Sequence, residues 1–199
     1  STVSSRWASI YRGWEWAGCN FGEKKAKMGG SSLVPNEQVP FHQKVRDVFE
    51  QNYNYPSANL SSEMIHDYLH SISDRKIKKI YGYPSTLSTI AEYIISKNIE
   101  LDLDSVITTS ETLDDYTRKL ISEAFNCQIF DHYGSEVSHA MQCPLTLNYH
   151  IAYEYTISEF LDGNDKVVND SESSFLVSTN LQNVVMPMIR YKTNDLVIP

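Results

Sequence analysis

Residues 61–133 read SSEMIHDYLHSISDRKIKKIYGYPSTLSTIAEYIISKNIELDLDSVITTSETLDDYTRKLISEAFNCQIFDHY. Within this stretch helical and extended periods alternate. Ile65, Tyr68, Leu69 and Ile72 fall at three- and four-residue spacing, which predicts a helix over 61–73, and the apolar run Ile77 to Tyr81 predicts a strand. Pro84, tolerated in a first helical turn, opens a second helix with Leu87, Ile90, Ala91, Ile94 and Ile95 on one face. Val106 and Ile107 mark the next strand. Thr112, with Asp115 three residues on, is the expected N-cap of a third helix carrying Leu113, Tyr116, Leu120, Ile121 and Ala124, and Ile129 and Phe130 close the series as a strand. Strands separated by helices of this length form right-handed crossovers, so the fold class is α/β, a parallel sheet with flanking helices.

Towards the N-terminus, Trp7, Ile10, Tyr11, Trp14 and Ala17 continue the helical period over 5–17, and Gly18 ends it. A short strand at Lys25 to Met28 follows. Gly29-Gly30-Ser31-Ser32, Pro35 and Pro40 predict a long loop, in which a lone Gly-Gly-Ser-Ser is weak evidence for phosphate. Towards the C-terminus the period becomes two. Ile151, Tyr153, Tyr155 and Ile157 alternate with Ala152, Glu154 and Thr156, and Phe175 and Val177 alternate with Leu176 and Ser178. Asp162-Gly163-Asn164-Asp165 is a turn between two such strands. The expected division is an α/β part at 1–144 and a smaller antiparallel, barrel-like part at 145–199.

Composition narrows the functional classes. No stretch of the 199 residues approaches the roughly 18 to 20 apolar residues of a membrane helix. The start, Ser1-Thr2-Val3-Ser4-Ser5, lacks a signal pattern and reads as an internal cut or processed end, so a cytoplasmic location is expected. A formal net charge of -8 argues against nucleic acid as a partner. Lys24, Lys25 and Lys27, and Arg75, Lys76, Lys78 and Lys79, are expected to be solvated strand edges. Cys19, Cys127 and Cys143 show no C-x-x-C spacing and are expected to be free structural thiols in a reducing compartment.

In an open parallel sheet, ligands sit beyond the carboxyl ends of the strands. Those ends here are Tyr81-Gly82-Tyr83-Pro84-Ser85, Thr108-Thr109-Ser110-Glu111-Thr112 and Asp131-His132-Tyr133-Gly134-Ser135-Glu136. An aromatic face can stack on a base, hydroxyls and helix N-terminal amides can hold phosphate, and a carboxylate can hold magnesium. Equally, Ser, Thr and Asp favour caps and turns at such places.

The run Asp131 to Glu136, together with Met186-Pro187-Met188-Ile189-Arg190-Tyr191-Lys192-Thr193-Asn194-Asp195, resembles two signatures of adenylate-forming enzymes. Arg6 to Gly18 and the Cys143 to His150 region resemble phenylacetate-coenzyme A ligase-like proteins, especially the capsule polysaccharide branch. The resemblance spans nearly the whole chain. It implies the large AMP-binding domain, with ATP or AMP, Mg2+ and coenzyme A as cofactors and a small carboxylic acid as substrate; self-association stays open.

Carried over, Tyr133 would stack on adenine, Asp131 would face its amino group, Ser110 and Glu111 would line the base, and Asp195 would bind the ribose hydroxyls. Gly134 and Ser135 belong to the same nucleotide set, with Ser135 approaching phosphate. Glu136 would hold magnesium and act in catalysis, and Tyr83 would wall the acyl pocket. Tyr133-Gly134-Ser135-Glu136 is one residue shorter than the family's usual Tyr-Gly-any-Ser/Thr-Glu. The phosphate loop expected upstream of the first helix and the lid domain expected after Pro199 do not occur in these residues, which implies the middle of a longer protein, without turnover of its own. Rival readings are a non-catalytic AMP-binding module and an acyl-protein synthetase. Cys143 and His150, with His139, could also suit zinc, although a structural site wants four ligands. His132 reads as turn packing, and Trp7, Trp14 and Trp16 as helix core and interface.

Overall fold

The computed structural model describes residues 2–31, 33–34, 40–168 and 171–199. Part of the expected 29–40 loop, Ser32 and Pro35 included, lies outside the described residues. Helix α1 (Thr2–Trp14) continues into a 3-10 turn (Glu15–Ala17) and stops at Gly18, whose φ of 65° is left-handed. There follow β1 (Lys25–Gly29), α2 (Phe41–Phe49), β2 (Asn52–Pro56), α3 (Ser62–Asp74), β3 (Lys79–Gly82), α4 (Pro84–Lys97), β4 (Ser105–Thr109), α5 (Asp115–Phe125) and β5 (Gln128–Gly134). After these come β6 (His139–Gln142), β7 (Tyr149–Ile151), β8 (Thr156–Leu161), β9 (Ser174–Asn180) and β10 (Tyr191–Val197). Seven strands form one sheet in the order β2-β1-β3-β4-β5-β6-β7, and β10-β9-β8 form a second. Neighbours from β2 to β5 pair parallel, whereas β6, β7 and the whole second sheet pair antiparallel. The expected architecture, a parallel α/β sheet followed by a smaller antiparallel unit, is the one observed.

Alternation along the strands sends successive side chains to two cores. Ile80, Val106 and Ile129 face α3, α4 and α5, where Ile65, Leu69, Ile72, Leu87, Ile90, Ile94, Ile121 and Phe125 are buried. One residue further along, Ile107 and Phe130 face α1, and with Ile10, Trp14, Cys19 and Met141 they form the opposite core, against which Tyr81 packs. Asp131 and His132 continue the same alternation, so neighbours in sequence lie on opposite faces of the sheet. No helix among the described residues is long and apolar enough to cross a membrane.

Several expectations are corrected. The third helix is capped by Asp114, not Thr112: the Thr117 N–H donates to Asp114 Oδ1 at 2.9 Å. The alternation over 151–157 is not one strand, because 153–155 form a turn between β7 and β8. Helix α2 and strand β2 had no expectation. Nor are all the basic residues solvated edges. Lys25 is buried, donates from Nζ to the Glu50 carbonyl at 2.8 Å and lies over the Tyr11 ring, and burial holds its pKa below the usual lysine range. Lys79 is also buried, with Asp104 at 3.0 Å and Glu23 at 3.5 Å.

Candidate functional site

Strand β1 has β2 on one side and β3 on the other, so the direction of winding reverses there, and it is beyond the carboxyl ends at such a reversal that open α/β sheets seat ligands. Two glycines shape this point. The backbone of Gly82 passes so close to β1 that a Cβ would sit 2.5 Å from the Met28 carbonyl oxygen, and a Cβ on Gly30 would meet the Tyr83 ring at 3.7 Å. The Tyr83 N–H donates to Met28 O at 3.2 Å, which fixes the turn into α4. Tyr83 therefore stands at the switch point, beside the Gly-Gly stretch that carried little weight in the sequence.

The loops after β3 and β4 are joined. Glu111 accepts from the Ser85 N–H at 2.9 Å and from the Ser85 hydroxyl at 2.8 Å, placing a carboxylate at the N-terminus of α4, where the helix dipole favours it. Ser110, exposed beside it, has φ of 67°, a left-handed conformation that serine seldom adopts.

Within β5, Asp131 is turned inward and accepts from the hydroxyls of Thr108 and Tyr149. Burial and the Asp131 carboxylate push the Tyr149 hydroxyl well above the usual tyrosine range. The Tyr133 hydroxyl donates to Asp195 Oδ2 at 2.5 Å, and burial together with this bond pushes its pKa up to about 12. The two motifs, 62 residues apart in sequence, thus meet in space. Ser135 closes a turn, accepting from the N–H groups of Val137 at 3.3 Å and Ser138 at 3.1 Å. Space at Gly134 is tight: a Cβ there would lie 3.2 Å from His132 Cε1 and 3.3 Å from His139 Nδ1.

His132 and His139 stack beneath α1 with ring centroids 5.8 Å apart, both buried. Burial lowers the pKa of His132 to about 4, with a contribution from the Arg6 charge. Burial, then His132 and Arg6, lower that of His139 to about 3. Both rings are therefore neutral near pH 7. Between the unfolded value of about 6.5 and these folded values, the unfolded chain takes up protons that the folded chain refuses, so stability is lost as pH falls through this window. The two rings together give a slope of up to about 2.7 kcal/mol per pH unit. In denaturant titrations between pH 7 and pH 5, His139→Gln is expected to remove about half of the pH dependence belonging to the pair. An unchanged profile would rule the pair out as its source.

Glu136 is the expected magnesium residue. Its side chain is exposed and forms an ion pair with Arg6 at 2.7 Å. Among the described residues no group of three or more His, Cys, Asp or Glu side chains is placed to hold a metal ion. Magnesium is often held by one or two carboxylates and the phosphates of its substrate, and a lone exposed carboxylate fits that mode. The zinc candidates are not gathered: His139 faces His132, His150 packs edge-on against Trp16 at 5.0 Å, and Cys143 lies in the turn after β6. All three cysteines are free.

The sequence did not single out Thr108, Tyr149 or Arg6. Thr108 was within reach, because parallel register sets it beside Asp131. Tyr149 and Arg6 arrive from β7 and α1, and no local spacing announces them.

A mostly parallel sheet thus ends in these polar loops, and an antiparallel sheet brings Asp195 to Tyr133. The resemblance seen in the motifs is matched by fold comparison. A 2-hydroxyisobutyryl-CoA ligase solved in complex with 2-HIB-AMP and CoA superposes with a TM-score of 0.71 at 16% identity, over 96% of this chain and 44% of that one. Mycobacterium smegmatis MbtA superposes with a TM-score of 0.66 at 9% identity, over 94% and 38%. At these identities the likeness establishes the fold. In sequence, the chain is 26% identical over 183 residues to Protein CapK of Staphylococcus aureus, covering 87% of this chain and 38% of that protein. It therefore spans less than half the length of each of these relatives. No family model matches the chain.

Proposed function

We propose that this chain carries the nucleotide-facing part of an ATP-dependent acyl-activating ligase, with 1–144 as the nucleotide-binding part and 145–199 as the β-rich part of one AMP-binding domain. The observation that carries this reading is the Tyr133 to Asp195 hydrogen bond, which joins both motifs at the carboxyl end of the parallel sheet. In the proposed reaction a carboxylic acid attacks the α-phosphate of ATP, giving an acyl-adenylate and pyrophosphate, and a thiol such as coenzyme A then takes the acyl group. The named solved ligase, with its AMP adduct and CoA, supports that chemistry, and the CapK match supports the capsule branch. A cytoplasmic location belongs to the same reading.

Tyr133 offers its ring to adenine, Ser110 and Glu111 line the base, and Asp195 accepts from the ribose hydroxyls. Asp131 is assigned to the adenine amino group; a carboxylate has about four acceptor positions, so its bonds to Thr108 and Tyr149 leave capacity for a further donor. Gly134 and Ser135 carry the backbone turn towards phosphate. Glu136 would supply one carboxylate oxygen to magnesium, which when bound neutralises phosphate charge. Tyr83, at the switch point, walls the acyl pocket.

A second reading, a non-catalytic AMP-binding module, is favoured by the shortened Tyr133-to-Glu136 motif and by the guanidinium on Glu136. Acid-dependent exchange of pyrophosphate into ATP, measured on the whole protein that carries these residues, separates the two. Exchange with at least one acid of a broad panel is expected, and silence across the panel would sink the ligase reading. Transfer to coenzyme A or to a protein acceptor then distinguishes a coenzyme A ligase from an acyl-protein synthetase.

A further inference from the structure

Arg6, on α1, reaches the turn between β5 and β6, where one of its Nη atoms lies 2.7 Å from Glu136 Oε1. The two residues are held very differently. The Glu136 carbonyl accepts from the Tyr155 hydroxyl at 3.2 Å and from Asn180 Nδ2 at 3.1 Å, and both of those side chains are buried, so the interior fixes the backbone of Glu136. Its side chain, 72% exposed, is free to turn about that fixed point. The Arg6 side chain is only 36% exposed, and its Nε is buried without a hydrogen-bond partner. A half-buried guanidinium with an unused donor is costly, and one surface ion pair offsets little of that cost. Nε itself is closed to solvent, so it is the exposed Nη end of the fork that is open to a second anion.

A carboxylate and a phosphate edge present similar paired oxygens to a guanidinium, and phosphate carries more charge. We propose that Arg6 is a polyphosphate ligand of the nucleotide site, on which the Glu136 carboxylate stands in for phosphate until a nucleoside triphosphate arrives. The Glu136 carboxylate would then be available to hold the accompanying divalent cation, and the guanidinium would keep the phosphate. This assignment rests on the nucleotide reading above and gives Arg6 a role that the motifs do not contain.

The test is calorimetry on the full protein with three probes: ATP with magnesium, tripolyphosphate with magnesium, and adenosine. Arg6→Gln is expected to weaken ATP about 30-fold and tripolyphosphate in parallel, while adenosine stays within about twofold of wild type. Arg6→Lys, which keeps the charge but loses the fork, should fall between. If Arg6→Gln binds ATP as wild type does, or more tightly because Glu136 has been released, the assignment fails. If adenosine binding is lost as well, Arg6 is structural, and the assignment fails equally. A wild type that binds none of the probes refutes the nucleotide reading itself, whereas wild-type binding that Arg6→Gln leaves unchanged refutes only the role of Arg6.

Discussion

Asp195→Ala is expected to weaken AMP binding about 100-fold, the equivalent of losing hydrogen bonds to a charged acceptor worth about 2.7 kcal/mol. Asp195 lies exposed on β10, where its N–H is steadied by Thr193 Oγ1 at 3.2 Å, and its carboxylate meets the Tyr133 hydroxyl. Two further variants separate the contributions. Tyr133→Ala removes the ring proposed to stack on adenine and should cost about 1–3 kcal/mol of binding. Tyr133→Phe keeps the ring and removes only the donor that occupies Asp195, so it should bind AMP at least as well as wild type. Calorimetric titration of the three variants against wild type checks the set. If Tyr133→Phe lost as much affinity as Asp195→Ala, the hydroxyl rather than the carboxylate would be the ligand group.

Gly82→Ala is expected to destabilise the chain by about 3 kcal/mol, the upper range for overpacking a closed interior. The clash is with backbone: the new Cβ would sit 2.5 Å from the Met28 carbonyl and 3.2 Å from Met28 Cβ. Strand β3 is held on both sides, Gly82 pairing with Met28 on β1 and with Thr108 on β4, so it cannot move away without opening a ladder. Urea unfolding of Gly82→Ala beside Gly163→Ala measures the effect, since Gly163 has nothing within 4 Å of its added Cβ. A loss at position 82 no larger than at position 163 would mean that the two strands have room to separate.

Much of this architecture was legible because its core elements obey one period at a time. Ile65, Leu69 and Ile72 are helical in spacing and buried; Val106 and Ile107 are extended and buried on both faces. Helix α2 buries none of its residues, and β2 consists of Asn52-Tyr53-Asn54-Tyr55-Pro56, whose Asn and Pro are poor strand formers, so neither stood out. The alternation through Tyr153 and Tyr155 misled for a physical reason: the period persists across a turn. The motif residues were singled out by their resemblance to two signatures. What the pattern could not supply was their environment, because Thr108, Tyr149 and Arg6 come to Asp131 and Glu136 from three other elements. Buried Lys25 and Lys79 were equally hidden, since the carbonyl of Glu50 and the carboxylates of Glu23 and Asp104 are supplied by distant chain.

The outer strands of the seven-stranded sheet bear on how the chain behaves in a crowded solution. An outermost strand offers a row of backbone donors and acceptors on which a stray chain can crystallise into a fibre. On one flank, β2 ends in Pro56, which has no N–H to offer, and the side-chain amides of Asn52 and Asn54 are tied back to Asp47 at 3.0 Å. On the other flank, β7 is only three residues long. Both flanks are poor templates for recruiting further strands, so this sheet resists templated aggregation by the character of its margins.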